Sequence, residues 1–189
     1  DFDGLKLILR PSSKRLASRI TDHTHNSTQG FSKAAKMRTA SRMKKKSVQK
    51  AWQHFAVIDV ETTGLSPVHD EILEIGAIRV SDGRVEATFQ AILKINGHLP
   101  PEVSKLTGLT EDLLKTEGKL LQEVLPDFLA FVGELPIVAH NGDFDYAFLR
   151  VACEKCGLPL FSNRRVDTLS MAKRYVDHVA NYKLETLVE

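Results

Sequence analysis

Three apolar runs in close succession constrain the fold of this chain more than any other feature. They are "HFAVIDVE" (54–61), "EILEIGAIRV" (71–80) and "RVEATFQAIL" (84–93). Each is short and rich in branched aliphatic residues, as strands are. The last two are joined by "SDGR", whose Asp82-Gly83 pair suits a two-residue hairpin turn because both residues tolerate positive φ. A sheet that opens with three antiparallel strands follows.

The pattern then changes. "LPPEVSKLTGLTEDLLK" reads as short helical turns, with Thr110 as an N-cap before Glu111 and Asp112. "GKLLQEVLPDFLAFVGEL" sets Leu120, Val124, Phe128, Phe131 and Val132 on one helical face, and Pro126 must kink that helix or lie in its first turn. "PIVAH" is a short buried strand, and "DYAFLRVACEKC" is a helix ended by Gly157 and Pro159. "RRVDTLSMAKRY" is a brief strand turning into a helix, and "KLETLVE" begins another helix. Strands first, then helices alternating with strands, predict an α/β layer fold with a mixed five-stranded sheet flanked by helices. An antiparallel start with parallel additions matches the ribonuclease H-like arrangement.

The opening "DFDGLKLILR" alternates Leu5, Leu7 and Leu9 with other residues, as a strand does, whereas residues 11–50 show little apolar periodicity. Residues 1–50 hold 13 Lys or Arg against 3 acids, whereas residues 51–189 hold 13 against 21. The sequence therefore divides into an isolated strand at 1–10, a basic flexible linker at 11–50 and one folded domain at 51–189. A basic arm on an acidic domain points to a polyanionic partner. His23 and His25 in "DHTH" read as solvated linker residues. Asp1 in place of Met predicts a piece of a longer chain. No apolar run reaches the roughly 18 residues of a membrane span. Cys153 and Cys156 form a lone C-x-x-C late in a helix, where a zinc site lacks its second pair. They read as ordinary reduced cysteines, which fits a cytoplasmic location.

The chemistry concentrates in two places. In "VIDVETTG", Asp59 and Glu61 are two residues apart on a strand, so both carboxylates project from one face with Cα atoms about 7 Å apart. Such a pair repels unless a cation or a proton lies between. Thr62, Thr63 and Gly64 follow as a polar turn that lets a ligand approach the backbone. In "PIVAHNGDFDYAFL", a strand end passes through Asn141 and Gly142 to Asp143 and Asp145 at a helix start. Ligand sites of α/β folds gather at such strand ends. Helix starts also favour acids for their own sake, and capping is the reading for Asp143.

"VIDVETTGL", "VAHNGDFDYAFL" and "VDTLSMAKRY…YKLETL" together resemble the DnaQ-like (DEDD, ribonuclease H-like) 3′–5′ exonucleases over about residues 53–189. The resemblance implies that Asp59, Glu61 and Asp145 are catalytic acids holding two divalent ions, Mg²⁺ or Mn²⁺. Asp59 would bridge both ions, Glu61 would hold the ion of the hydrolytic water, and Asp145 would support the second. Thr62, Thr63 and Leu65 would line the pocket of the 3′-terminal nucleotide, with Leu106 and Thr107 near its base. It also implies a later helix carrying a base histidine five residues before a last aspartate. No residue up to Glu189 matches either, and Asp177 and His178 precede the required position, so no general base is assigned; the domain is expected to be C-terminally incomplete.

The opening "DFDGLKLILRP" resembles the last strand of the smaller, non-catalytic subunit of type I-E CRISPR spacer-integration complexes. The resemblance implies a fusion of that ferredoxin-like subunit to the nuclease, a homodimer through the ferredoxin-like domain and an integrase partner. The implied function is metal-dependent trimming of 3′ overhangs on DNA before integration. Two other readings stay open: a polymerase-type proofreading exonuclease, and a catalytically silent DNA-binding or scaffolding module.

Overall fold

The computed structural model describes residues 53–188. The expected strand at 1–10 and basic linker at 11–50 lie outside the described residues. Five strands form one sheet in the order β3-β2-β1-β4-β5. Strands β1 (His54–Thr62), β2 (Ile72–Ser81) and β3 (Arg84–Ile92) run antiparallel. β4 (Ile137–Ala139) adds to the far side of β1 in parallel, and β5 (Arg165–Asp167) adds to β4 in parallel. The mixed five-stranded sheet is the one the sequence predicts. Asp82 and Gly83 both have positive φ, 51° and 75°, as a tight hairpin between β2 and β3 requires.

Six helices complete the described domain: α1 (Pro101–Thr107), α2 (Glu111–Thr116), α3 (Leu121–Val132), α4 (Asp143–Lys155), α5 (Thr168–Tyr175) and α6 (Leu184–Leu187). Thr110 caps α2 through the Leu113 N–H at 3.2 Å, as expected. One expectation for α3 needs correction. Leu120 is its N-cap residue and half exposed, while Leu125 is fully buried in its place. Pro126 lies in the second turn, and the helix continues through it. The ring removes one internal N–H bond, and apolar burial of Val124, Leu125, Phe128 and Val132 outweighs that loss. The "KLETLVE" helix is only one turn long.

The core lies between one face of the sheet and helices α3 and α4. Ala56, Ile58 and Val60 from alternate positions of β1 join Ile75, Ala77, Phe128, Val132, Phe148 and Leu149 there. The rings of Phe89, Phe128 and Phe161 run through this cluster, with centroids 5.8 and 5.9 Å apart. A smaller cluster of Leu73, Leu99, Leu109 and Leu114 anchors α1 and α2. Because the even positions of β1 are committed to the main core, its odd positions (Val57, Asp59 and Glu61) must point to the opposite face.

Candidate active site

The length of β4 creates the site. On the β4 side of β1, the Ala56 N–H reaches Pro136 O at 2.9 Å, and the two-residue period puts the Val60 N–H on that same edge. β4 ends at Ala139, before its ladder reaches Val60. Asp145, in the first turn of α4, takes the vacant place: its Oδ1 accepts the Val60 N–H at 2.9 Å. A bond across 85 residues of sequence thus puts the third acid between the backbone positions of Asp59 and Glu61. Asp145 is 4% exposed.

The three carboxyls are coupled. Burial first, and then the charges of Asp145, Glu61 and Glu74, together raise Asp59 to about 8. Asp145 is raised to about 7 as the net of burial, the opposing Val60 and Asp145 N–H groups, and the added charges of Glu61 and Asp167. Glu61 is raised by burial and then by Glu74. Every charge acting on these three acids is another carboxylate. At neutral pH such a group keeps protons or gathers cations.

Among the described residues, no three His, Cys, Asp or Glu side chains already form a closed group for a metal ion. The donor chemistry fits a hard divalent ion nevertheless: all the donors are carboxylate oxygens, anionic and crowded on one strand edge. Asp59, Glu61 and Asp145 are the residues that would hold it.

Asp143 behaves differently from its neighbour. Gly142 is the N-cap of α4, without a side-chain cap bond, so Asp143 does not cap the helix as expected. It occupies the first helical position, is 91% exposed, and pairs with Arg165 at 2.6 Å. The Arg165 guanidinium also covers the Tyr146 ring at 4.3 Å.

The threonines of the expected nucleotide pocket are engaged within their own loop. Thr62 is buried, and its hydroxyl donates to Gly64 O at 2.6 Å. The Thr63 hydroxyl accepts the Glu71 N–H at 2.9 Å. The Asp70 carboxylate accepts the Ser66 N–H at 2.7 Å. A Cβ on Gly64 would lie 2.5 Å from Asp70 Oδ2, so any other residue would have to displace the Asp70 carboxylate. This braced loop holds Leu65 out in solvent, 85% exposed. Leu106 is also presented, 76% exposed, whereas Thr107 is 1% exposed. The Thr107 hydroxyl donates to Val103 O at 2.9 Å and accepts the Leu109 N–H at 3.2 Å, so it braces the end of α1.

Three residues near the site escaped the sequence reading. Glu74 stands directly opposite Glu61 on β2, buried, and accepts from Gln90 Nε2 at 2.5 Å; its signal was an acid inside an otherwise apolar strand. Asp167 acts electrically on Asp145 from the end of β5; its signal was an acid between a strand and a helix. His140 lies within 3.0 Å of Thr168 Oγ1 through Nδ1 and within 2.8 Å of Tyr182 O through Nε2. A carbonyl only accepts, so Nε2 carries a proton there. His140 therefore ties the end of β4 to the segment after α5.

The profile of the Exonuclease family, RNase T type, matches residues 56–189. The chain belongs to this exonuclease family. The PolC-type DNA polymerase III of Caldanaerobacter subterraneus subsp. tengcongensis is 39% identical over 135 residues, covering 71% of this chain and 10% of the relative. That of Thermotoga petrophila is 38% identical over 135 residues, with the same coverage. The chain thus spans about a tenth of the length of these curated relatives. Among solved structures, E. coli exonuclease I in complex with a 5cy-dA13 oligonucleotide aligns with a TM-score of 0.65 at 19% identity, covering 72% of this chain and 35% of the other. A product-bound exonuclease I structure gives 0.64 at 20%, covering 72% and 37%. The exonuclease domain has the ribonuclease H-like fold of these neighbours. Among the described residues no helix is long and apolar enough to cross a membrane.

Proposed function

We propose that this exonuclease domain is a metal-dependent 3′–5′ exodeoxyribonuclease that trims 3′ overhangs of cytoplasmic DNA captured for CRISPR spacer integration. One observation carries the nuclease part: Asp145 is bonded to the β1 backbone between two acids that share its electrical environment. Three acids coupled only to other carboxylates form a centre for divalent cations, Mg²⁺ or Mn²⁺, and Asp59, Glu61 and Asp145 would hold them. Bound there, two such ions would make water more acidic and offset the negative charge of a phosphodiester.

The rest of the task falls to the chain itself. The strand fixes Asp59 and Glu61 at a set spacing, and the Val60 N–H orients Asp145 against them. Without cations the site repels the phosphates of DNA, so nucleic acid and metal depend on one another. Leu65 and Leu106 offer apolar surface to the terminal base, while Thr62, Thr63 and Thr107 hold the backbone beneath them. Hydrolysis at this centre would release nucleoside monophosphates from a 3′ end.

The setting rests on the first fifty residues. The resemblance of residues 1–10 to a CRISPR integration subunit favours a tethered trimming enzyme that dimerises through a ferredoxin-like domain beside the integrase. A linker of about 40 residues has a root-mean-square span of about 35 Å and keeps the nuclease concentrated at bound DNA ends. A second reading, proofreading within a replicative polymerase, is favoured by the 38–39% identity to PolC-type polymerases.

The deciding experiment incubates the full chain with duplex DNA bearing a labelled 3′ overhang, with Mg²⁺ or Mn²⁺ or with a chelator. Stepwise shortening with metal, absent in Asp59→Ala, is the expected result. DNA binding without shortening would leave a scaffolding module. Co-purification with the integrase, as against a polymerase assembly, separates the two settings.

A further inference from the structure

The proposed chemistry gives no role to Asp167, a carboxylate that acts on Asp145. Asp167 ends β5 and is the N-cap residue of α5. As a cap, its Oδ2 accepts the Ser170 N–H at 3.0 Å and the Ser170 hydroxyl at 2.5 Å, and its Oδ1 accepts the Leu169 N–H at 3.2 Å. Capping needs nothing more. Yet Oδ1 also accepts the N–H groups of Asn141, at 2.8 Å, and Gly142, at 3.3 Å. Those two amides belong to the turn between β4 and α4.

That turn has little freedom to find its shape by other means. Asn141 has a φ of 63°, in the left-handed region that a non-glycine residue occupies at a cost. A Cβ on Gly142 would lie 2.9 Å from the Ala139 Cβ, so position 142 accepts only glycine without a shift. Gly142 is the N-cap of α4 and makes no side-chain cap bond of its own. The carboxylate at the end of β5 instead holds the two residues that lead into α4, through the Asn141 and Gly142 N–H groups. Asp145 follows within one helical turn, so any drift of Gly142 is passed on to its carboxylate. There the tolerance is small, because Asp145 must meet the Val60 N–H at 2.9 Å.

We propose that Asp167 is a positioning residue, whose carboxylate clamps the β4–α4 turn through Asn141 and Gly142 and so fixes Asp145 beside Asp59 and Glu61. The inference rests on reading these acids as the nuclease centre. It predicts that Asp167 serves two tasks with different geometric demands. Capping α5 needs only a short acceptor. Holding the turn needs an acceptor long enough to reach it.

Two substitutions in the full chain separate the tasks. Asp167→Ser keeps a good cap but is too short to reach Asn141. Asp167→Asn keeps a carbonyl oxygen at the Oδ1 position. Both remove the same charge beside Asp145, so the difference between them reports geometry. Three quantities are measured: Tm, kcat and KM on 3′-overhang DNA, and amide hydrogen exchange at Asn141 and Gly142. Asp167→Ser is expected to keep its Tm within a few degrees, exchange faster at both amides, and lose kcat by about 10- to 100-fold with little change in KM, the range typical of residues that orient metal ligands. Asp167→Asn should recover most of the kcat and the slow exchange. Wild-type kcat or unchanged amide exchange in Asp167→Ser would overturn the proposal. If the unsubstituted chain itself cleaves no DNA, the nuclease reading fails, and the exchange rates alone still decide whether Asp167 holds the turn.

Discussion

The two faces of β1 are made from alternate residues of a single strand and obey opposite rules. Ala56, Ile58 and Val60 are sealed under α3 and α4, where removal from water is the driving force. Asp59 and Glu61, interleaved with them, are also largely withdrawn from water, yet there burial is a penalty: it lifts both carboxyls, Asp59 to about 8. The first face contributes stability, and the second consumes some of it. The comparison teaches that burial alone does not mark a structural residue. What the buried group is, and what other charges share its surroundings, decides whether it holds the fold or loads it.

Substitutions can break that contrast. The largest effect is expected from the loaded face: Asp59→Ala should lower nuclease turnover by a factor of about 1,000 or more, as loss of a group essential to the chemistry does, while leaving Tm unchanged or raised. A fall of ten degrees in Tm would show instead that Asp59 supports the fold. Ile58→Ala on the opposite face should do the reverse, costing about 2–5 kcal/mol of stability while the protein that remains folded keeps its turnover. Chemical denaturation combined with an active-fraction assay checks both halves.

A pH scan without metal tests the sign of the penalty. A carboxyl whose folded value lies above its unfolded value keeps its proton in the fold where the unfolded chain has released it. With Asp59 raised from 3.8 to about 8 and Asp145 from 3.8 to about 7, their contribution to stability is complete below about pH 4. It falls as pH rises, and is gone above about pH 8. Tm should therefore decline across that window, and added Mg²⁺ or Mn²⁺ should restore it at the alkaline end. A Tm insensitive to metal at pH 8 would contradict a cation-holding role for these acids. The smallest effect belongs to Asp143→Ala, which removes an exposed pair with Arg165. Turnover should stay within about twofold, since exposed pairs contribute little. A large loss would mean that Asp143, and not Asp145 alone, serves the site.

Sequence periodicity was enough to read β1, β2, β3 and the hairpin at Asp82-Gly83, because each depends on neighbours close along the chain. It was also enough to put Asp59 and Glu61 on one face, since the strand period is two. Asp145 was legible only through resemblance: its partner, Val60 N–H, lies 85 residues away, and no local pattern announces such a bond. The same limit hid Asp167, whose second pair of bonds returns 25 and 26 residues along the chain. It hid Glu74 too, whose significance depends on strand register opposite Glu61. The exchange of Leu120 for Leu125 in the core has a simpler cause. The helix starts one residue later than a continuous apolar stripe implies, and that start turns Leu120 outward.

The shortness of β4 has a consequence for how such a domain can change. One further rung of ladder past Ala139 would offer a main-chain carbonyl to Val60, and the carboxylate of α4 would lose its berth. A single inserted residue there need not harm packing at all, yet it would evict the acid. The proposed centre thus depends on a strand that stops early, and its most vulnerable spot is a stretch of backbone carrying none of the three acids.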